Sequence, residues 1–225
     1  MIVGNDLIKQ QVEGVLQKLP KDVLLVAAAK TRTPDEIKAA VKAGVKVIGY
    51  NYVQEAKRMY DIIGNRVQWH MIGHLQRNKA KQAVTLFDMI ETVDNLRLAE
   101  ALNRCCAESS KTMPILIEIN SGREENKSGV FTEKVEELVS GIAHFENIRV
   151  QGLMTMGPLL GDPENSRPYF RATKETFDRL KESNIPNVEM RYLSMGMSRT
   201  YQIAIQEGAN IVRIGTKLFG ERHYK

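Results

Sequence analysis

The chain has 225 residues, of which 43% are hydrophobic and 26% are charged, a composition that predicts a folded globular protein and excludes a disordered chain. No apolar run approaches the roughly 20 residues that span a membrane, and residues 1–20 lack a signal-peptide pattern, so we expect a cytoplasmic protein without membrane contact. The formal net charge of +5 comes from scattered basic residues, and aromatic residues make up only 6%, which does not indicate a nucleic-acid-binding surface.

The predicted elements begin with a helix over residues 2–19. After it, short apolar and often β-branched runs recur along the chain, and each is predicted to be a strand buried on both faces. These eight runs are residues 24–29, 45–50, 68–73, 89–93, 115–120, 150–156, 190–195 and 210–216.

Several segments between these runs show helical periodicity. After the first run, Thr33, Pro34 and Glu36 form the signature of a capping box, and Gly44 can end that helix. Apolar residues at helical spacing predict further helices: Leu96, Ala99 and Leu102; Val135, Leu138, Val139 and Ile142; Phe170, Thr173, Phe177 and Leu180; Tyr201, Ala204 and Ile205.

Strands that alternate with helices pair in parallel. Eight such units favour a closed (β/α)8 barrel with an additional N-terminal helix, formed by residues 1–225 as a single domain. The alternative is an open doubly wound sheet, but no strand is followed by the glycine-rich dinucleotide loop of many such sheets.

Lys30 directly follows the first apolar run. A buried ammonium is costly, so this lysine either reaches solvent or has a function. In a (β/α)8 barrel, the C-terminal ends of the strands face the active site, which would place the Lys30 amine there.

The loops after the last two strands are suited to an anion. Gly196 allows the backbone to approach a ligand closely, and Ser198 is predicted to cap the helix that follows. Gly215 and Thr216 offer backbone N–H groups and a hydroxyl from the next loop. Since barrel closure brings strands 7, 8 and 1 together, a phosphate site and the Lys30 amine would be neighbours.

Pyridoxal phosphate needs these two features, an anchor for its phosphate and an amine that forms a Schiff base with its aldehyde. A solvated Lys30 beside a phosphate site for another anionic metabolite remains an alternative at this stage.

Seven sequence blocks carry a family likeness that extends over residues 20–222 in order. They resemble the pyridoxal phosphate homeostasis proteins, whose fold is similar to the barrel of alanine racemase (fold-type III of pyridoxal phosphate proteins). The blocks are "LVAAAKTR", "GYNYVQEA", "WHMIGHLQRNK", "NSGREENKSG", "GLMTMG", "LSMGMS" and "VRIGTKLFGER".

The resemblance implies roles for particular residues. Lys30 would hold the cofactor as a Schiff base, and Ser198, Gly215 and Thr216 would bind its phosphate. Arg213 would lie beside the pyridine nitrogen and keep it unprotonated, which weakens the ring as an electron sink. Asn51 would lie near the ring, and Met195 and Met197 would line the pocket.

Two positions depart from the family pattern. Tyr50 stands where the family usually has a glutamate before Asn51, and Thr200 stands where an acidic residue is common. The carboxylate that the family has before Asn51 is therefore absent here.

Two other segments have weaker indications. His70 and His74 lie in a predicted strand and loop without companion ligands, so we expect no metal site, and the residues after His74 are either a polar rim or a helix start. Residues 121–129 form a polar, glycine-containing loop that is either a lid or a plain exposed loop.

The resemblance favours a carrier or buffer that takes part in intracellular pyridoxal phosphate homeostasis and hands the cofactor to apo-enzymes. The alternative is an amino-acid racemase, which needs acid/base groups on both faces of the α-carbon. Alanine racemase draws the second group from an additional β-domain, and here the sequence stops soon after the eighth strand. We therefore expect a binding protein without robust catalysis, and we expect a monomer because the sequence shows no long apolar stripe for a partner.

Overall fold

Eight parallel strands form a closed barrel in this computed structural model, which describes residues 4–124, 127–158 and 161–221. Each strand pairs with its neighbour in chain order, and pairing of β1 with β8 closes the ring, which confirms the predicted barrel and excludes the open sheet. The strands are β1 Leu24–Ala28, β2 Val47–Tyr50, β3 Gln68–Met71, β4 Met89–Val93, β5 Met113–Ile119, β6 Ile148–Thr155, β7 Val188–Ser194 and β8 Ile211–Ile214.

Helices within the described residues surround the barrel, and the first of them confirms the predicted N-terminal helix. They are α1 Asn5–Leu16, α2 Pro34–Lys42, α3 Val53–Ile63, α4 Ala80–Leu86, α5 Leu96–Glu108, α6 Val135–Ile142, α7 Arg167–Glu182, α8 Tyr201–Gln206 and α9 Thr216–Phe219. Short 3-10 turns occur at Gly64–Arg66, Arg77–Lys79, Thr132–Lys134 and Pro163–Ser166. None of the helices in these ranges is both long and apolar enough to cross a membrane.

The helix α2 begins with the capping box that the sequence predicts. The Thr33 hydroxyl accepts a hydrogen bond from the Glu36 N–H (3.3 Å), and the Glu36 carboxylate accepts one from the Thr33 N–H (2.7 Å). Gly44, with φ of +112°, follows the end of the helix in a conformation that glycine adopts without strain. This cap fixes the direction in which the chain leaves the end of β1.

Alternate residues of each strand face two different environments. Inside the barrel, a small apolar cluster contains Val26, Val47, Ile72, Met89, Leu116, Met154 and Ile211. The side chains between them pack outward against the helices in a much larger cluster. Polar side chains that share the inward register are therefore brought together inside the ring.

Two features named from the sequence reach outside the described residues. The polar loop over residues 121–129 includes residues 125–126, and the last family block ends at residue 222. Within the described part, Asn120 ties the start of the loop by donating to the Glu124 carbonyl (2.8 Å).

Candidate functional site

A cavity of about 470 Å³ opens at the C-terminal end of the barrel, between the end of β1 and the loops after β7 and β8. It lies where the sequence predicts the phosphate site. Its lining residues include Ala28, Met197, Ser198, Arg213, Gly215 and Thr216. Five residues that the sequence predicts for the site, Met197, Ser198, Arg213, Gly215 and Thr216, are thus brought together.

The Ser198 hydroxyl joins the two loops of this cavity. Its oxygen accepts hydrogen bonds from the backbone N–H groups of Gly215 and Lys217, each at 3.2 Å. Within the described residues, the backbone N–H groups of Ser198 and Thr216 donate no hydrogen bond. The cavity therefore has free and weakly engaged donors on adjacent loops, an arrangement that favours an anion.

The predicted helix cap at Ser198 is wrong. Helix α8 begins at Tyr201 with Thr200 as its N-cap residue. Before it, the Met197 carbonyl accepts from both the Thr200 and Tyr201 N–H groups, and the Met197 N–H donates to the Thr200 hydroxyl (3.1 Å). This turn delays the helix and leaves the Ser198 side chain directed to the β8 loop.

Two glycines allow the backbone to come close at this end of the barrel. Gly196 has a φ of +88°, and a Cβ there would lie 2.6 Å from the Ala204 Cβ and 2.8 Å from the Tyr201 Cα. A Cβ on Gly215 would lie 3.1 Å from the Ala28 carbonyl oxygen. Glycine at both positions thus preserves the shape of the cavity wall.

Lys30 lies two residues beyond the end of β1 and is half-buried. It continues the register in which Val26 and Ala28 face the barrel interior, and Ala28 itself lines the cavity. The Lys30 Nζ lies 5.1 Å from the centroid of the Tyr52 ring, a cation–π contact, and Lys30 is not among the residues that line the 470 Å³ cavity. The amine is accordingly at the mouth but turned toward the loop after β2.

Asn51 and Tyr52 line a second, polar cavity of about 260 Å³ at the same mouth. His74, Gln76 and Lys79 also line this cavity. The predicted polar rim after β3 is therefore present, and its last residues also form the 3-10 turn that leads into α4. Lys30, packed on Tyr52, stands next to the second cavity.

Met195, another predicted site residue, lies away from both cavities. The preceding residue, Ser194, faces the barrel interior, so strand alternation turns Met195 outward, where it is completely buried in the layer between strands and helices. Met197 lines the cavity, as expected.

Tyr50, which replaces the family glutamate, is also directed outward. Its ring is buried and stacks on Trp69, with 6.0 Å between ring centroids. Burial, followed by the charge of Glu55, raises the pKa of the Tyr50 hydroxyl. Tyr50 thus packs in the outer layer and does not contribute to the mouth.

Buried polar side chains inside the barrel form a connected cluster beneath the cavity. Arg213 is only 4% exposed and donates to the Ser194 hydroxyl and to the Thr155 carbonyl (2.8 Å). The Ser194 hydroxyl in turn donates to Glu91 Oε2 (2.6 Å), and the other oxygen of Glu91 hydrogen-bonds His70 Nδ1 (2.6 Å). This chain of contacts holds the guanidinium in one orientation.

The electrostatics of the cluster centre on Glu91 and Arg213. Burial disfavours the charged form of Glu91, but hydrogen bonds from His70 and Ser194 and the charge of Arg213 together hold its pKa below the ordinary value. Burial lowers the pKa of Arg213, opposed by the charges of Glu91 and Glu118. A guanidinium starts from so high a pKa that it stays protonated, so the two groups form a buried ion pair.

A second carboxylate, Glu118, lies on the neighbouring strand and is 2% exposed. Its Oε2 atom has no hydrogen-bond partner within the described residues. Burial and the charge of Asp94, only partly offset by Arg213, raise the pKa of Glu118 to about 7.

This interior cluster was not predicted from the sequence. A signal was present, because "MIETV" and "ILIEIN" each contain a glutamate within an apolar run, which is unusual for a strand buried on both faces. The partners that make Glu91 favourable come from three other strands and cannot be identified from the chain order alone.

Comparison with known proteins agrees with the fold, a (β/α)8 barrel whose candidate site lies at the C-terminal ends of the strands. Residues 5–223 match the family described as alanine racemase, N-terminal domain. The chain is 42% identical over 201 residues to a pyridoxal phosphate homeostasis protein from Aquifex aeolicus, covering 89% of this chain and 87% of that protein. It belongs to the family of pyridoxal phosphate homeostasis proteins, as the sequence blocks indicate.

Solved structures agree with this assignment. The structure of PipY from Synechococcus elongatus PCC7942 with PLP bound is 29% identical and superposes with a TM-score of 0.87, covering 95% of this chain and all of that one. Alanine racemase from Clostridium difficile is 16% identical with a TM-score of 0.78 and covers 98% of this chain and 61% of the racemase. The second likeness shows the fold alone.

Proposed function

We propose that this protein binds pyridoxal 5'-phosphate at the C-terminal mouth of the barrel and acts as a carrier or buffer in intracellular homeostasis of that cofactor. One observation carries the proposal: donors from the β7 and β8 loops converge on one cavity, while the Lys30 amine follows the adjacent strand β1. The names of the relatives and the PLP-bound PipY structure support it.

The residues at the mouth fit such a cofactor. The unengaged N–H groups of Ser198 and Thr216 and the hydroxyl of Ser198 are suited to three phosphate oxygens. A Cβ at Gly215 would approach the Ala28 carbonyl, so glycine keeps this wall open to a bulky anion. These three residues, Ser198, Gly215 and Thr216, are the proposed phosphate site.

Bound pyridoxal phosphate supplies an aldehyde that condenses reversibly with a primary amine. Lys30 is the proposed amine, since it follows β1 in the inward register and its amine packs on the Tyr52 ring. To reach the first cavity it exchanges its contact with Tyr52, which is weak enough to allow this.

Arg213 is the proposed partner of the ring. Arg213 lines the cavity, and its guanidinium is held by Ser194 and Thr155. A permanent cation at that position disfavours protonation of an adjacent aromatic nitrogen, which suits storage of the aldehyde better than chemistry at an α-carbon. Asn51, from the second cavity, is the proposed neighbour of the ring on the β2 side.

The proposal includes the setting in which the protein works. We infer a cytoplasmic monomer whose single domain comprises residues 1–225 and which delivers the cofactor to apo-enzymes. Light scattering with and without pyridoxal phosphate tests the monomer, and a dimer at micromolar concentration would contradict it. Transfer is tested by mixing the loaded protein with an apo-aminotransferase and measuring the activity that returns.

The central test is to locate the attached lysine. The protein is loaded with pyridoxal phosphate, reduced with borohydride, digested and mapped by mass spectrometry, and we expect the label on Lys30. Lys30→Ala should lose the label and the visible absorbance band. Lys46, which precedes β2 at the opposite end of the barrel, provides the control, and Lys46→Ala should retain both. A label on Lys79 in the wild-type protein would contradict the proposal.

The racemase alternative has its own measurement. Incubation of the loaded protein with alanine and other amino acids in deuterated water reports exchange at the α-carbon. We expect none above the rate of free pyridoxal phosphate. Exchange at ordinary enzymatic rates would show that the protein is a catalyst.

A further inference from the structure

Two buried carboxylates face the interior of the barrel from neighbouring strands. Glu91 lies on β4 and Glu118 on β5, each in the inward register, Glu118 following Leu116 of the interior cluster. Both are within electrostatic reach of Arg213, the guanidinium that lines the candidate cavity. They are alike in chemistry and location but differ in their hydrogen bonds.

Glu91 uses both of its oxygens. One accepts from the Ser194 hydroxyl and the other is bonded to His70, each at 2.6 Å. Glu91 also lies 3.9 Å from the Arg213 Nη1 atom, so it has the contacts of a fixed negative charge.

Glu118 differs from Glu91 in its hydrogen bonding. It is 2% exposed, and its Oε2 atom has no partner within the residues that the structure describes. A buried carboxylate in this state is costly when ionised, whereas the neutral acid needs less solvation. Its unpartnered oxygen indicates a group whose partner is water, a ligand or its own proton.

Two ionisable groups act on Glu118, Arg213 from β8 and Asp94 from the loop after β4. Glu91 on β4 and His70 on β3 are ionisable groups of the same barrel interior. Burial is the strongest influence on the pKa of Glu118, followed by the repulsion of Asp94, and Arg213 opposes both. The net effect brings the pKa of Glu118 to about 7 and leaves that of Glu91 below its ordinary value. When two carboxylates in one site have pKa values that their surroundings push apart, one can exchange a proton while the other stays charged.

We propose that Glu118 is the proton-exchanging residue of the candidate site and that Glu91 is the fixed counter-charge that positions Arg213. This inference rests on the proposed function, because it takes the site to bind an anionic cofactor. With Glu118 protonated, the interior has one guanidinium balanced by one carboxylate. When Glu118 releases its proton to water, the interior gains one negative charge without a counter-ion.

The consequence is that cofactor affinity depends on the proton of Glu118. An additional negative charge near Arg213 opposes binding of an anion, so affinity for pyridoxal phosphate falls as pH rises through neutrality. Glu118→Gln keeps the shape of the neutral acid and cannot ionise. It removes this part of the pH dependence.

The first test uses the protein without cofactor. Glutamate is labelled with 13C at the side-chain carboxyl, and the NMR titration is assigned with Glu118→Gln and Glu91→Gln. We expect the Glu118 signal to titrate with a midpoint near pH 7 and the Glu91 signal to titrate below the range of an ordinary glutamate. A Glu118 midpoint below about pH 5 would overturn the inference, whether or not the protein binds pyridoxal phosphate.

The second test measures the pyridoxal phosphate dissociation constant at pH 6 and pH 8 for the wild type and for Glu118→Gln. Ionisations of the cofactor itself cancel when the two pH ratios are compared. We expect affinity to fall about tenfold more in the wild type, equivalent to one pKa unit of coupling. Glu189→Gln, at an exposed position of β7, is the matched control and should follow the wild type. Equal ratios in Glu118→Gln and wild type would overturn the inference.

If the protein binds no pyridoxal phosphate, the proposed function is wrong, and the NMR titration alone tests the role of Glu118. If the protein binds pyridoxal phosphate tightly but Glu118 titrates as an ordinary glutamate, this inference is wrong and the proposed function stands.

Discussion

The phosphate end of the candidate site and the polar interior of the barrel are built on different physical principles. At the phosphate end, backbone N–H groups, two glycines and the Ser198 hydroxyl form the wall, and the region is partly open to solvent. In the interior, buried charged side chains from several strands, including Glu91 and Arg213, balance one another's charge.

The difference predicts how each region responds to change. Water can replace a lost partner at an open surface, so substitutions that remove a hydrogen-bonding group at the phosphate end should mainly affect binding. A buried charge that loses its partner cannot be rescued in this way, so substitutions in the interior should mainly affect stability.

Glu91→Gln should have the largest effect. It leaves the Arg213 guanidinium buried without its counter-charge, and we expect the free energy of unfolding to fall by about 4 kcal/mol. Urea denaturation at pH 7 measures this, with the slope of the transition as a check on two-state unfolding.

A variant that carries both Glu91→Gln and Glu118→Gln tests whether Glu118 is coupled to Arg213. In Glu91→Gln the remaining carboxylate, Glu118, can ionise and partly compensate Arg213. Glu91→Gln combined with Glu118→Gln should therefore lose more stability than the two single variants added together. Simple additivity would show that Glu118 and Arg213 are not coupled.

Glu118→Gln should have the next largest effect, and the size of this effect depends on pH. The pKa of Glu118 is raised from an ordinary 4.5 to about 7, so between these values the folded protein binds more protons than the unfolded chain. The stability of the wild type therefore decreases as pH rises through this window. The loss relative to Glu118→Gln should reach about 3 kcal/mol above pH 7.

Thermal and urea unfolding of the two proteins at pH 5 and pH 8 measure this difference. Other titrating groups contribute equally to both proteins and cancel. A stability difference that is the same at both pH values would contradict the raised pKa of Glu118.

The fold and the phosphate end were predictable because their signals are local. Apolar runs alternating with helical periodicity indicate the barrel, and barrel closure alone brings Ser198 and Gly215 beside the end of β1. Thr33 and Glu36 specify their helix start within four residues. In these cases the interacting groups are near in sequence or are joined by a general rule of the fold.

The rest depends on distant or register-dependent contacts. Met195 faces outward because Ser194 faces inward. A change of register by one residue would reverse both directions, and the sequence does not fix that register. Ser198 fails to cap α8 because Thr200 takes over the turn before it. The partners of Glu91 lie on β3, β7 and β8, and only the folded ring brings them together.

Gly196→Ala tests a different kind of change at the phosphate end. It adds an atom at a crowded position, and water cannot offset that as it can offset a lost hydrogen bond. The φ of +88° is strained for alanine, and the new Cβ would lie within 2.8 Å of the Tyr201 Cα. We expect a loss of about 2 kcal/mol in unfolding free energy and weaker cofactor binding. Gly64→Ala is the matched control, because Gly64 has a φ of +69° with open space around its Cβ position. Equal losses in both variants would mean that backbone strain alone, and not the close approach at the cavity, decides the effect.

Ser198→Ala should have the smallest effect on stability and separates the two regions most clearly. The hydroxyl accepts from Gly215 and Lys217 at 3.2 Å, but these donors lie at a cavity that water can enter, so unfolding free energy should change by less than about 1 kcal/mol. Affinity for pyridoxal phosphate should fall about tenfold, because a bound phosphate loses one hydrogen bond and the link between its two loops. Isothermal titration and urea unfolding on the same preparation give both quantities. A large loss of stability with unchanged affinity would mean that Ser198 serves the fold of the loops, and that the phosphate end depends on internal contacts just as the barrel interior does.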